Sequence, residues 1–154
     1  MQGEILPATP KQAAVVAHLI AKLLTVLVGH KRKINAEQLA EASSKLLAGN
    51  SGFNAFLYYV EGNPVAVITV SRSAAIYAGG FYGVIEEFYV EPEYRSQSIG
   101  KRLLDRVIQF SGEQGWSRLE VSTPEKEKWK RTEDFYRREG FSGNSNGERL
   151  KLEI

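Results

Sequence analysis

Cysteine is absent from this 154-residue sequence. A disulfide framework, a thiolate metal site and a cysteine nucleophile are therefore excluded. Histidine occurs only twice, as His18 and His30, and neither lies near an acidic cluster. No zinc site is expected from such a pattern. A Gly-x-Gly-x-x-Gly turn, the usual mark of a dinucleotide site, is missing. Charge of one sign is scarce too: 20 Lys and Arg face 18 Asp and Glu, a formal net charge of +2. That surplus gives no ground for a nucleic-acid or membrane partner. Met1 to Pro10 holds Glu4 and two prolines and lacks the charged-then-apolar order of a secretory signal. The longest apolar region, Ala13 to Gly29, is interrupted by His18 and Lys22. It falls short of the roughly 20 residues of a spanning helix. It is expected to be a core-facing helix, and the protein to be cytoplasmic. With no repeat, low-complexity tract or linker, residues 1–154 are expected to form one domain.

What is present alternates between two periodicities. Glu4-Ile5-Leu6-Pro7 is a short strand candidate. Val16, Leu19, Ile20, Leu23 and Leu27 recur at helical spacing, with Gly29 as a stop. Lys31-Arg32-Lys33 is read as a solvated connection, and Asn35 as the N-cap of a second helix reaching about Ala48. Phe56 to Val60 and Val65 to Val70 form a hairpin around Glu61-Gly62-Asn63-Pro64. A turn at Ala78-Gly79-Gly80 leads into a strand from Tyr82 to Val90. Ile99, Leu103, Leu104, Val107 and Ile108 then share a helical face. Arg118 to Ser122 is a strand, and Glu125 to Glu139 a charged helix with Gly140 in the C′ position. Gly143 to Gly147 is a loop, and Arg149 to Ile154 a last strand. The predicted order is β-αα-β-β-β-α-β-α-β, a mixed α/β fold around one sheet.

One stretch carries chemistry: Glu86-Glu87-Phe88-Tyr89-Val90-Glu91-Pro92-Glu93-Tyr94-Arg95-Ser96-Gln97-Ser98-Ile99-Gly100-Lys101. It is a strand, a tight turn and a helix start. The first helical turn offers amide groups and a positive dipole end, and Gly100 admits close approach to the backbone. Arg95 and Lys101 add positive charge. A pyrophosphate is the predicted guest; an ordinary turn with a serine N-cap is the plainer reading.

Two motifs decide between them by resemblance. Val90-x-Pro92-x-x-Arg95-x-x-Ser98-Ile99-Gly100-x-x-Leu103-Leu104 resembles the acetyl-CoA loop of the GNAT N-acetyltransferase superfamily. Phe135-Tyr136-Arg137-Arg138-Glu139-Gly140-Phe141 resembles a second segment of that family, in the same order and separation. The resemblance implies the acyl-CoA N-acyltransferase fold, acetyl-CoA as donor and an amine as acceptor. It implies that the backbone of Arg95, Ser96, Gln97, Ser98, Ile99, Gly100 and Lys101 holds the pyrophosphate. It implies further that Phe88, Tyr89 and Val90 pair with the pantetheine arm beside a strand bulge. Tyr136 would be the general acid for the departing thiolate. A homodimer is a common assembly in the family. Two positions depart from the pattern. Ser98 stands where glycine is usual, which costs energy if the backbone angle there is unusual and little if it is helical, where its hydroxyl would help hold the phosphate. Trp129 and Thr132 stand where Asn and Ala are common.

An alkyl amine must lose a proton before it attacks a thioester. Glu86 and Glu87 are the candidate bases, and in a regular strand they point to opposite faces. Glu86 is favoured, because Ile85 to Val90 resembles the acidic strand of diamine acetyltransferases. Either glutamate could instead be a surface or ion-pairing residue. Lacking cysteine, the enzyme would transfer the acetyl group directly. A polyamine, an amino acid or an amino sugar is the expected small-molecule acceptor. A protein N-terminus or lysine is the alternative acceptor, and a non-catalytic acyl-CoA-binding sensor the alternative of another class. His18 is read as a packed or edge residue, His30 as solvated, and Trp116 and Trp129 as core or rim. Tyr58, Tyr59, Tyr77, Phe81 and Tyr82 are read as core aromatics, with an acceptor pocket as the other reading.

Overall fold

The computed structural model describes residues 3–29, 33–122, 126–143 and 149–154, with 126–129 through their backbone alone. His30, Lys31, Arg32, Glu125, the loop at 144–147 and the Trp129 side chain lie outside the described residues. The elements are β1 (Gly3–Pro7), α1 (Ala13–Val28), α2 (Ala36–Leu47), β2 (Phe53–Val60), β3 (Asn63–Ala75), β4 (Gly80–Val90), α3 (Ile99–Glu113), β5 (Arg118–Ser122), α4 (Lys126–Arg138) and β6 (Arg149–Glu153). Short 3-10 turns precede α1 (Pro10–Gln12) and α3 (Pro92–Tyr94). The six strands lie in chain order, β1-β2-β3-β4-β5-β6. β1–β2 and β5–β6 are antiparallel and β4–β5 parallel, so the sheet is mixed.

Local chemistry explains most boundaries. The Asn35 side chain accepts from the Gln38 amide at 3.1 Å and starts α2. Glu61 and Gly62 both have positive φ, 50° and 80°, as a two-residue type I′ hairpin between β2 and β3 demands. Gly140, at φ 102°, ends α4.

The chain divides into two compact units, Met1–Val70 with Glu87–Leu104, and Ser71–Glu86 with Asp105–Ile154. In the first, Val16, Leu19 and Ile20 of α1 pack with Leu47, Leu57, Val67 and Tyr89. Burying each such side chain contributes about 1.5–3 kcal/mol, so Leu19→Ala would open a costly cavity. The α1 stripe stops earlier than its spacing predicts: Leu23 is half-buried and Leu27 exposed. Periodicity alone overstated the burial of Leu27. With the preceding 3-10 turn the helical run is Pro10–Val28, 19 residues, most of it not buried. By length and composition it could cross a membrane, contrary to the shorter expected span.

In the second unit, Leu119, Val121 and Leu150 are buried. Gly83 is tight against its neighbours: a Cβ there would lie 2.7 Å from Leu119 Cδ2 and from the Trp116 ring. Trp116 is a core residue, edge-on to Phe110 at 5.5 Å. Tyr82 is buried, but Tyr77 and Phe81 are exposed, correcting their reading as core. Tyr77 sits in the β3–β4 connection and Phe81 at the start of β4, each with an arginine, Arg118 or Arg72, against one side of its ring and the rest open to solvent.

Candidate active site

In the first unit the site begins where β4 ends. The register of β4 with β5 runs over Gly83, Val84 and Ile85 and stops there among the described residues. β4 itself continues to Val90. Its end is anchored by Glu91, whose amide donates to the Val65 carbonyl at 2.9 Å. The Glu91 carboxylate pairs with Lys22 of α1 at 2.9 Å. That contact, chiefly the hydrogen bond, pushes the Lys22 pKa up. The Arg95 Nε donates back to the Val90 carbonyl at 2.9 Å, and its guanidinium lies over the Tyr89 ring. Arg95 thus closes the turn between strand and helix.

The loop that follows has unusual backbone geometry. Ser96 and Ser98 both have positive φ, 64° and 63°. The first helical bond of α3 runs from the Arg102 amide to the Ser98 carbonyl at 3.1 Å. The Ile99 and Gly100 amides come before it and point out of the helix end. Left-handed residues beside a helix start make a concave set of amide groups that suits an anion. The Ser98 backbone is left-handed rather than helical, a conformation that costs a non-glycine residue about 1–2 kcal/mol. Behind the loop, Arg102 donates to the buried Tyr58 hydroxyl at 2.7 Å.

Glu86 and Glu87 do not follow the alternation of a regular strand. Ser71 and Thr69 are two apart on β3 and so share a face. Yet the Ser71 hydroxyl donates to Glu86 Oε2 at 2.8 Å, while the Thr69 hydroxyl donates to the Glu87 carboxylate. The Glu87 amide also donates to Thr69 Oγ1 at 3.0 Å. Consecutive β4 residues meeting one face of β3 is the bonding pattern of a β-bulge. Opposite-facing glutamates were expected from an unbroken strand, and the break in step removes that reason. Glu86 is exposed; Glu87 is half-buried on Thr69.

Tyr136 belongs to α4 in the second unit. It is buried, 4% exposed, with the Phe135 and Phe141 rings edge-on at 5.4 and 5.3 Å. Burial pushes its pKa well above the usual tyrosine value, so the phenol keeps its proton at neutral pH. One turn earlier, buried Glu133 pairs with Arg137 at 3.2 Å, and Arg137 also donates to the Gly143 carbonyl at 2.9 Å. His18 is exposed on α1. Among the described residues no cluster of His, Asp or Glu is placed to hold a metal ion.

A family model described as the acetyltransferase (GNAT) domain matches residues 51–143, more than half of the chain. The chain belongs to the GNAT acetyltransferase family. Solved structures agree on the fold. An aminoglycoside acetyltransferase from an uncultured soil metagenomic sample, in complex with trehalose, is 22% identical, with a TM-score of 0.76 over 94% of this chain and 91% of its own. A ribosomal-protein-alanine N-acetyltransferase from Brucella melitensis is 18% identical, with a TM-score of 0.72 over 96% and 97%. A predicted acetyltransferase from Clostridium acetobutylicum, solved with acetyl-CoA, is 18% identical, with a TM-score of 0.77 over 93% and 92%. No curated protein sequence matches the chain.

As a GNAT acetyltransferase the protein is an acyltransferase, with acetyl-CoA as donor. Its own residues fit that donor. The left-handed serines and helix start suit a pyrophosphate, and β4 runs on beyond its β5 register, as an extended arm pairing with a strand requires. Sequence reasoning missed a third feature, a charged network of Arg118, Glu120 and Arg149 in the second unit. A signal for it was present: charged residues recur at every second position of Arg118–Glu120 and Arg149–Lys151–Glu153, the period of one sheet face.

Proposed function

We propose that this chain, as a single cytoplasmic N-acetyltransferase domain, moves the acetyl group of acetyl-CoA directly onto a primary amine of a small molecule. The observation that carries this reading is the loop from Arg95 to Gly100, left-handed at Ser96 and Ser98 and opening α3. The amides of Arg95 to Lys101 would hold the pyrophosphate, and the backbone of Phe88, Tyr89 and Val90 the pantetheine arm. Bound acetyl-CoA supplies the acetyl group as a thioester. Glu86 would accept the proton that the amine must lose, its carboxylate oriented by the Ser71 hydroxyl. As the N–C bond forms and the C–S bond breaks, Tyr136 would give its proton to the departing sulfur. Tyr136 carries the proton that step needs, and burial holds it there.

The same burial favours a second reading, an acyl-CoA-binding sensor without turnover: Tyr136 is enclosed by aromatic rings. Two measurements separate them. Acetyl-CoA at about 100 times its dissociation constant should stabilise the fold by roughly 2.7 kcal/mol. That shift should vanish in Gly100→Glu while the variant still folds. Acetylation of an amine panel should fall by about 10²-fold or more in Glu86→Gln and in Tyr136→Phe, with donor binding kept. Binding without acetylation of any amine leaves the sensor; no binding removes both.

A further inference from the structure

The second unit carries a polar sheet face around Glu86. Val84 pairs with Glu120 across β4–β5, and Glu120 with Lys151 across β5–β6, so these residues share a face. Tyr82 and Glu86 join it from β4, Arg118 and Ser122 from β5, and Arg149 and Glu153 from β6, each two residues from a member of the set. Contacts agree with this register. Glu120 is buried and holds Arg118 and Arg149, each at 3.2 Å. Arg118 is buried under the Tyr77 and Tyr82 rings and reaches Glu153 at 3.7 Å. Arg149, by contrast, is 48% exposed.

Two opposite charges therefore face solvent in one row. Ser122 pairs with Arg149, and Glu86 follows Ile85, the last β4 partner of β5. Glu86, Ser122 and Arg149 thus lie at one end of that face on three successive strands, with the Glu86 and Arg149 backbones about 10 Å apart or more, since β4 leaves its β5 register at Ile85. The Glu86 carboxylate leans on Ser71 of β3 and the Arg149 guanidinium on Glu120 of β5, and both keep an exposed side toward a ligand between them. An α-amino acid, with one hydrogen bond at its ammonium and one at its carboxylate, spans roughly 9 Å. The Glu120 contact holds the Arg149 guanidinium in place; its hydrogen bond, more than the charges of Glu120, Tyr82 and Glu86, pushes the Arg149 pKa up.

The geometry points to an acceptor that carries a carboxylate as well as an amine, an amino acid rather than a polyamine, with the ammonium at Glu86 and the carboxylate at Arg149. This deepens the proposed transfer and rests on Glu86 serving the amine. A polycation would set one of its charges against Arg149, which is repulsive, whereas a zwitterion matches both ends.

The test compares amino acids with the amines that lack only the carboxylate: phenylalanine with phenethylamine, leucine with isoamylamine, lysine with cadaverine. The full chain is saturated with acetyl-CoA, and thiol release gives kcat/KM for each. The carboxylated member should win by at least tenfold in the best pair. Arg149→Gln should bring that ratio close to one, and Arg149→Lys should restore part of it while keeping a cation beside Glu120. Equal or better rates for every decarboxylated amine would overturn the proposal, as would a ratio unmoved in both variants. Should no amine be acetylated although acetyl-CoA binds, the transfer reading fails, and calorimetric titration with the same amino acids decides the Arg149 claim alone. Binding weakened tenfold by Arg149→Gln supports it, and no amino-acid binding sinks it.

Discussion

The Arg102 guanidinium donates to the Tyr58 hydroxyl at 2.7 Å, joining the first turn of α3 to the buried surface of β2. Tyr58 leaves no room on its other side, since a Cβ at Gly3 would fall 2.0 Å from its ring. The hydroxyl cannot simply turn to water. Tyr58→Phe deletes the hydroxyl and leaves the exposed Arg102 to water, so it should cost about 0.5–1.5 kcal/mol, the net range of a typical hydrogen bond. Urea unfolding measures it. A loss below about 0.5 kcal/mol would mean that the bond does not hold α3 in place.

Ser98 offers the opposite sign. Glycine takes φ 63° without steric cost. Ser98→Gly should remove about 1–2 kcal/mol of strain and restore about 0.4–1 kcal/mol of chain entropy to the unfolded state. The net expectation is a gain of about 0.5–1 kcal/mol, with acetyl-CoA binding kept. Ser98→Val, β-branched in a left-handed position, should lose stability. The order Gly, Ser, Val in midpoint temperature is the check, and any other order contradicts the left-handed backbone.

Tyr136 sets a pH dependence. Its folded-state pKa lies above the unfolded value of about 10. Above that pH the unfolded chain gives up the proton while the folded one retains it. Stability is thus fully present below pH 10 and falls as pH rises beyond it. Tyr136→Phe should flatten this alkaline limb. Melting curves between pH 8 and about 11 test it, and parallel limbs in both proteins would place the loss elsewhere.

Gly83 and Glu120 test the second unit. Gly83→Ala pushes a methyl group into Trp116 and Leu119 and should cost about 1–3 kcal/mol. Glu120→Ala leaves buried Arg118 with only the exposed Glu153 carboxylate at 3.7 Å, and loss of one partner of a buried pair costs about 3–5 kcal/mol. Chemical denaturation of both variants is the measurement. A near-neutral Glu120→Ala would show that water reaches Arg118 freely.

Local rules made much of this fold legible. Helix caps at Asn35 and Gly140, the Glu61-Gly62 turn and the α3 stripe depend on residues a few positions apart, so the element order could be read off the chain. The donor loop was legible for the same reason, because a helix start presents its amides whatever surrounds it. Long-range contacts decided the rest. Periodicity could mark Leu27, Tyr77 and Phe81 as apolar but could not supply a neighbour to cover them. Glu86 and Glu87 were visible as a pair, yet their directions depended on how β4 steps against β3. Composition could count arginines, but only strand register set Arg149 on the same face as Glu86, because two successive strand pairings, β4 with β5 and β5 with β6, bring together segments distant in the chain.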